Sequence, residues 1–217
     1  MPEDQERMYI QDGDLFVLHS NPFTFLYLSA KDLILNARQA KEKKNLESEN
    51  TNSIGAVSLL LLSTEALINR VYDGFLKDKF PRWINDEIES KWSITMKWYF
   101  APLLFGAGNK TFDFDKDPWQ SFSELKSIRD YFAHPKTQKL PIAISSAQQK
   151  TFDFVKGEIP RWPQTRVAKD LHHLKVEDAE KIFQIINKMI DDLDSFMGGV
   201  IKKDNWYVSE HLVKSAG

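Results

Sequence analysis

The chain has 217 residues, 42% of them hydrophobic and 28% charged, with a formal net charge of −2. That length supports one substantial core, and the near-neutral charge gives no global basic field for nucleic acid or an anionic membrane. The absence of cysteine excludes disulfides, thiolate catalysis and every Cys-containing metal site, and suits a cytoplasmic protein.

Residues 1–20 read as an N-terminal arm. Its opening, MPEDQERMYIQDGD, is polar and acidic, unlike a signal peptide. The stretch YIQDGDLFVL fits either a short hairpin turning at Asp12-Gly13 or an extended arm. From Asn21 the pattern becomes helical: Asn21 can cap, Pro22 suits the first helical position, and Leu26, Ala30, Leu33, Ala37 and Ala40 follow at spacings of three and four. This helix runs out in KEKKNLESEN. A second helix is predicted from about Ser53 to Lys79, apolar nearly all round its centre, as in a helix packed on several sides. Its run AVSLLLLSTEALI holds Glu65 and is shorter than the roughly 20 residues of a membrane span, so no membrane is expected.

Residues 80–118 are rich in Trp and Phe and broken by Pro81, Pro102, Gly106, Gly108 and Pro118, which predicts a long connection with short helical pieces. A third helix is predicted from near Pro118 to His134. Residues 138–174 contain three prolines and no sustained period, and read as an irregular excursion. The last helix is predicted from about Val176 to Met197, with Ala179, Ile182, Phe183, Ile186, Met189, Ile190, Leu193 and Phe196 in one stripe and Gly198-Gly199 as its stop. The expected fold is all-α, a four- to five-helix bundle over residues 21–200, with the insertion at 138–174 and a tail at 201–217.

Several local patterns imitate sites. GAGNKT at Gly106–Thr111 lacks the Gly-Lys-Thr adjacency and the preceding strand of a phosphate-binding loop. Asp113, Asp115, Asp117 and Glu124 match four places of a calcium loop, but its turning glycine is replaced by Pro118. An acidic first turn at a helix N-terminus accounts for them instead. His172 and His173 are adjacent and diverge, and neither has a second ligand at helical spacing. No metal and no cofactor are expected.

The segment SIRDYFAHPK carries the remaining chemistry. On a helix, Phe122, Leu125, Ile128 and Phe132 make an apolar arc, and Arg129 falls inside it. A guanidinium there needs a partner, because an uncompensated buried charge is costly. Glu65 occupies a matching place on the apolar second helix, with Asn69 one turn on. A Glu65–Arg129 pair tying two core helices together is the structural reading, with or without a functional role. His134 lies five steps and about 140° from Arg129 on an ideal helix. Pro135 should end the helix there. The imidazole then either faces solvent or swings back towards Arg129.

Arg129, polar Asp130 and His134 after four intervening residues resemble the motif of the HEPN domains, helical bundles in which a later helix ends in Arg, four to six residues and His. The order of SLLLLSTEALINRVYDGFL, KWSITMKWYFAPLLFG, DPWQSFSELKSIRDYFAHP and VEDAEKIFQIINKMIDDLDSFMG is similar to that of many such proteins. Glu65 with Arg70 partly matches an acidic-then-basic pair in the second long helix of some branches. The resemblance implies metal-independent RNA cleavage by a homodimer, with the Arg129–His134 regions of two chains meeting at the interface. Arg129 would hold the phosphate and His134 would act as general acid/base, supported by Asp130, Glu65, Asn69 and Arg70. The alternative is a non-catalytic module binding nucleotide, RNA or a protein partner, favoured by the chain's charge and by the lack of a base-stacking or basic cluster in the sequence.

Overall fold

A computed structural model describes residues 22–76, 79–106, 108, 110–133 and 160–203. Within them lie seven α-helices: α1 (Pro22–Glu42), α2 (Leu46–Leu76), α3 (Arg82–Lys91), α4 (Ile94–Phe105), α5 (Trp119–Ala133), α6 (Val176–Phe196) and α7 (Val200–Lys203). Among the described residues there is no strand, only an isolated antiparallel bridge between Arg161 and Ala168. The fold is all-α.

Among the described residues, α1 and α2 form the most extensive helix–helix contact, a hairpin, and α6, α4 and α5 close around the other faces of α2. α1 turns inward the face that the sequence predicts at Ala30, Ala37 and Ala40, shifted by one residue at the two leucines. Phe23, Tyr27, Ala30, Ile34, Ala37 and Ala40 are buried, whereas Leu26 and Leu33 are only half-buried. The aromatic Phe23 and Tyr27 win the core position because Tyr27 also reaches Asn187 on α6 with its hydroxyl and packs against Phe183.

α2 begins at Leu46, seven residues before the predicted start. The polar run NLESENTNS does not delay it, because those residues serve its first turns. The Asn45 side chain accepts the Ser48 N–H at 3.1 Å, which is the work of an N-cap. Asn52 and Ser53 bond to carbonyls one turn back, and Lys44 takes the left-handed conformation (φ 57°) that turns the chain. α2 is also long and apolar enough to cross a membrane, contrary to the sequence estimate. Half of that apolar window is buried inside the fold, where Val57, Leu60, Leu67 and Ile68 belong to the core. Each such side chain contributes about 1.5–3 kcal/mol on burial.

The Trp- and Phe-rich connection holds two true helices. Ser93 caps α4 by accepting the Met96 N–H, and Trp98 of α4 is fully buried, its ring packed on Phe112 and Phe122. At the far end of α4, a Cβ on Gly106 would lie 2.2 Å from the Pro102 carbonyl oxygen of α4 itself and 2.7 Å from that of Phe196 at the end of α6. α6 ends as its glycines foretell: Gly198 and Gly199 adopt φ of 76° and 82°, and the Gly199 N–H bonds back to the Asp194 carbonyl.

Candidate functional site

α5 brings Arg129 against α2. Asp117 Oδ1 accepts both the N–H and the hydroxyl of Ser121, closing the first turn of α5. Phe122, Leu125 and Ile128 are buried and fix its inward face. Arg129 sits at the edge of that face rather than within it, with 38% of its side chain exposed. Nη2 donates to Glu65 Oε2 at 3.1 Å and Nη1 to Asp130 Oδ1 at 3.2 Å. The predicted Glu65–Arg129 pair is therefore present, and it reaches solvent.

Beside Arg129 a small cleft of about 20 Å³ opens between α2, α4 and α5, lined among others by Leu61, Thr64, Thr95, Phe122 and Lys126. It has room for about one water molecule. A phosphate would have to bind on the outer side of the guanidinium, not in this cleft.

Asn69, one turn on from Glu65, pairs with Lys97 of α4. Its Oδ1 accepts from Lys97 Nζ at 2.8 Å, and the same ammonium donates to the Glu89 carbonyl at 3.2 Å. Lys97 is 6% exposed, and burial lowers its pKa against the raising fields of Glu89, Glu65 and Asp73. The backbone of Lys97 is held too, since the Tyr72 hydroxyl donates to its carbonyl; burial pushes the Tyr72 hydroxyl pKa up. Glu65 and Asn69, one turn apart on α2, thus present one polar strip, facing Arg129 on α5 and Lys97 on α4. Sequence reading missed Lys97. The available signal was a lone lysine inside the apolar ITMKWYF, the same kind of signal that marked Arg129.

Arg70 is half-buried and stands about 140° around α2 from Glu65, away from the Arg129 pair. His134 lies outside the described residues, as do His19, His211 and the YIQDGDLFVL segment.

The imitation sites have structural explanations. Glu124 leaves the acidic loop and accepts the backbone N–H groups of Gln164 and Thr165 at 3.2 and 2.7 Å, while Asp113 pairs with Lys116 at 2.8 Å. No cluster of three or more metal-ligating side chains occurs among the described residues. In the glycine-rich connector, Gly106 is a packing residue and the Thr111 hydroxyl donates to the Tyr99 carbonyl. His173 Nδ1 lies 2.6 Å from Asp170 Oδ2, within a 3-10 turn that Asp170 also caps.

Comparison with known protein families, with curated proteins and with solved structures finds no match.

Proposed function

We propose that the protein is a metal-independent endoribonuclease of HEPN type. The observation that carries this reading is Arg129. It is placed in the last turns of α5 by two carboxylates, yet more than a third of its side chain is open to solvent. A guanidinium sealed in the core would have argued against any substrate contact. An open one, oriented by Glu65, can fork onto the oxygens of a scissile phosphate and hold the charge that develops there.

His134 follows the described end of α5 by one residue. In this reading it takes the proton of a ribose 2′-OH as that oxygen attacks phosphorus, and the leaving 5′-oxygen is protonated in the same step. The products are a 2′,3′-cyclic phosphate and a free 5′-hydroxyl. One imidazole cannot serve as base and acid at once, so two chains related by a twofold axis would supply one each, with residues near 129–136 at the interface.

Incubation of the purified protein with mixed single-stranded RNAs in EDTA is expected to yield cyclic-phosphate ends, and His134→Ala to leave the RNA uncut. Sedimentation at micromolar concentration is expected to give a dimer. Identical, uncut RNA with both proteins across several substrates sinks the nuclease reading.

A second reading is a non-catalytic binding module. It is favoured by the two carboxylates on Arg129 and by a neighbouring cleft of only about 20 Å³, an arrangement that suits a regulated contact as well as a catalytic one. RNA or nucleotide binding without cleavage is its expected signature.

A further inference from the structure

The turn between α1 and α2 holds an open cleft of about 320 Å³, floored by the small side chain of Ala40. Its walls are amides. Asn36 and Gln39 reach it from α1, Asn45 from the turn and Asn52 from α2, with Ser48 between the last two. The bonds that start α2 fix two of these amides in opposite senses. Asn45 Oδ1 is occupied by the Ser48 N–H, so its NH2 group is left for a ligand. Asn52 donates its NH2 group to the Ser48 carbonyl at 2.7 Å and to the Ser48 hydroxyl at 3.2 Å, so its carbonyl oxygen is left instead. Asn36 and Gln39 are exposed, and among the described residues neither side chain has a hydrogen-bond partner. The cleft therefore offers donors and acceptors together, two of them already oriented.

Charge gives the cleft a direction. The turn as a whole is balanced, with Lys43 and Lys44 against Glu42 and Glu47. Only Lys43 of these lines the cleft. It is exposed and has no ion-pair partner among the described residues, whereas Glu42 and Glu47 lie about 100° round their helices from Lys43 and Ser48. On the α6 side, Arg38 pairs with Glu180 and Lys41 with Glu177. Glu49 is buried and accepts the Val176 N–H, so none of these adds an open charge. At the far end Asp32 precedes Asn36 by one turn on the same face of α1, about 16 Å along the axis from Lys43. A lysine thus marks one end and a carboxylate the other. The lining holds no carboxylate to bind a metal ion and no aromatic ring to stack a flat base.

We infer that this cleft binds a polyol carrying one anionic group, a sugar phosphate or a sugar acid, with the anion at Lys43 and the hydroxyls along the amides. Each hydroxyl both donates and accepts, so neighbouring hydroxyls on a sugar suit walls that present both kinds of group. The ammonium supplies charge-assisted bonds to the phosphate or carboxylate, and the hydroxyl end points towards Asp32, where an anion would be repelled. From Asn36 to Lys43 is about 10 Å along α1. That length, with a volume at the lower end of the range for small-molecule sites, fits one sugar unit and its anionic group rather than an oligosaccharide. The site is separate from the nuclease reading, because Asn52 and Glu65 stand about 20 Å apart along α2.

The test is isothermal titration calorimetry of the full chain at low salt with glucose 6-phosphate, ribose 5-phosphate and gluconate, and with glucose and inorganic phosphate as controls. At least one of the three anionic sugars is expected to bind one to one with a Kd below about 1 mM, and the pattern among them tells phosphate from carboxylate. Lys43→Gln should weaken that binding about tenfold, the loss of one charge-assisted hydrogen bond. Gln39→Ala should weaken it roughly 2- to 10-fold, the loss of a neutral one. Both side chains are exposed, so both variants should melt as the wild type does. Lys181→Gln, on the exposed side of α6, should bind unchanged. Absence of binding by all three sugars overturns the inference, and so does binding that neither Lys43→Gln nor Gln39→Ala weakens. Equal affinity for inorganic phosphate would reduce the site to an anion on a lysine, and equal affinity for glucose would leave Lys43 no part in it; either result also overturns the inference.

Discussion

Arg129 and Glu65 lie 64 residues apart in sequence and 3.1 Å apart in space, and their pairing joins α5 to α2. Both side chains are about one-third exposed, at 38% and 34%. Solvent therefore screens the pair, and its direct worth is about 1 kcal/mol or less. What it supplies is orientation, since one edge of the guanidinium is fixed by α2 while the rest faces outward.

A double-mutant cycle on Arg129→Gln and Glu65→Gln, read by urea unfolding, is expected to give a coupling of about 0.5–1 kcal/mol that shrinks as salt is raised. In cleavage assays the two substitutions should separate. Arg129→Gln should abolish activity, whereas Glu65→Gln should lower it by a smaller factor. Equal and complete loss from both would make Glu65 more than an orienting group.

Gly106 and Gly108 make a matched pair for stability. A Cβ at Gly106 meets two carbonyl oxygens, at 2.2 and 2.7 Å, while one at Gly108 meets nothing within 4 Å. Gly106→Ala should cost about 3 kcal/mol, and Gly108→Ala should stay within about 0.5 kcal/mol. Thermal unfolding of the two variants decides it. Equal tolerance would mean that the α4–α6 junction yields easily.

The helices were legible in the sequence where periodicity was long and apolar, as in α6 with its predicted bounds of Val176 to Met197 and observed bounds of Val176–Phe196. The start of α2 was not, because the same Ser and Asn side chains that favour loops also bond to the backbone of a helix's first turns. Glu65 and Arg129 were found as charges on apolar faces. Lys97 carried the same kind of signal, a lone lysine inside the apolar ITMKWYF, and was overlooked because its partners, a side-chain amide and a backbone carbonyl on other elements, offer no opposite charge in sequence to match it with. The exposure of Trp83 on α3, 70%, was hidden for the opposite reason. A tryptophan in an aromatic-rich stretch reads as core, and only the orientation of α3 exposes it.

The calcium-loop resemblance makes its own prediction. Glu124 holds the Gln164 and Thr165 N–H groups, and Thr165 is fully buried. Glu124→Ala should therefore destabilise the fold by about 2 kcal/mol, while millimolar calcium leaves the melting temperature of the wild type unchanged. A calcium-dependent rise in melting temperature would restore the metal reading of Asp113, Asp115 and Asp117.

Lys97 gives the fold an alkaline signature. Its folded pKa is lowered from 10.5, first by burial, with Glu89, Glu65 and Asp73 opposing the shift. Between that lowered value and 10.5 the unfolded chain binds the proton more readily than the native one, so stability rises with pH across the window. Below it the cost of burying the charge is present in full. Lys97→Met removes the dependence. The wild type should gain stability relative to Lys97→Met as the pH is raised from neutrality towards about 10, in paired urea titrations. Parallel pH profiles would mean that Lys97 is solvated in the native state.

Asp130 sets the availability of Arg129. Glu65 reaches the guanidinium from another helix, but Asp130 is its sequence neighbour, is 48% exposed, and binds Nη1 at 3.2 Å. A phosphate approaching from solvent therefore competes with Asp130 for the same N–H donors, while Glu65 can keep its hold on Nη2. Removing the Asp130 charge should favour the phosphate twice over, by freeing a donor and by lowering the local negative potential. An exposed pair of this kind contributes up to about 1 kcal/mol, so Asp130→Asn should tighten RNA binding roughly 2- to 5-fold at low salt. The gain should fade at physiological ionic strength, where the screening length is about 8 Å. Anisotropy titrations at two salt concentrations measure both effects. Weaker binding by Asp130→Asn would place the carboxylate among the groups that orient Arg129, and an unchanged affinity at low salt would remove Arg129 from the phosphate contact altogether.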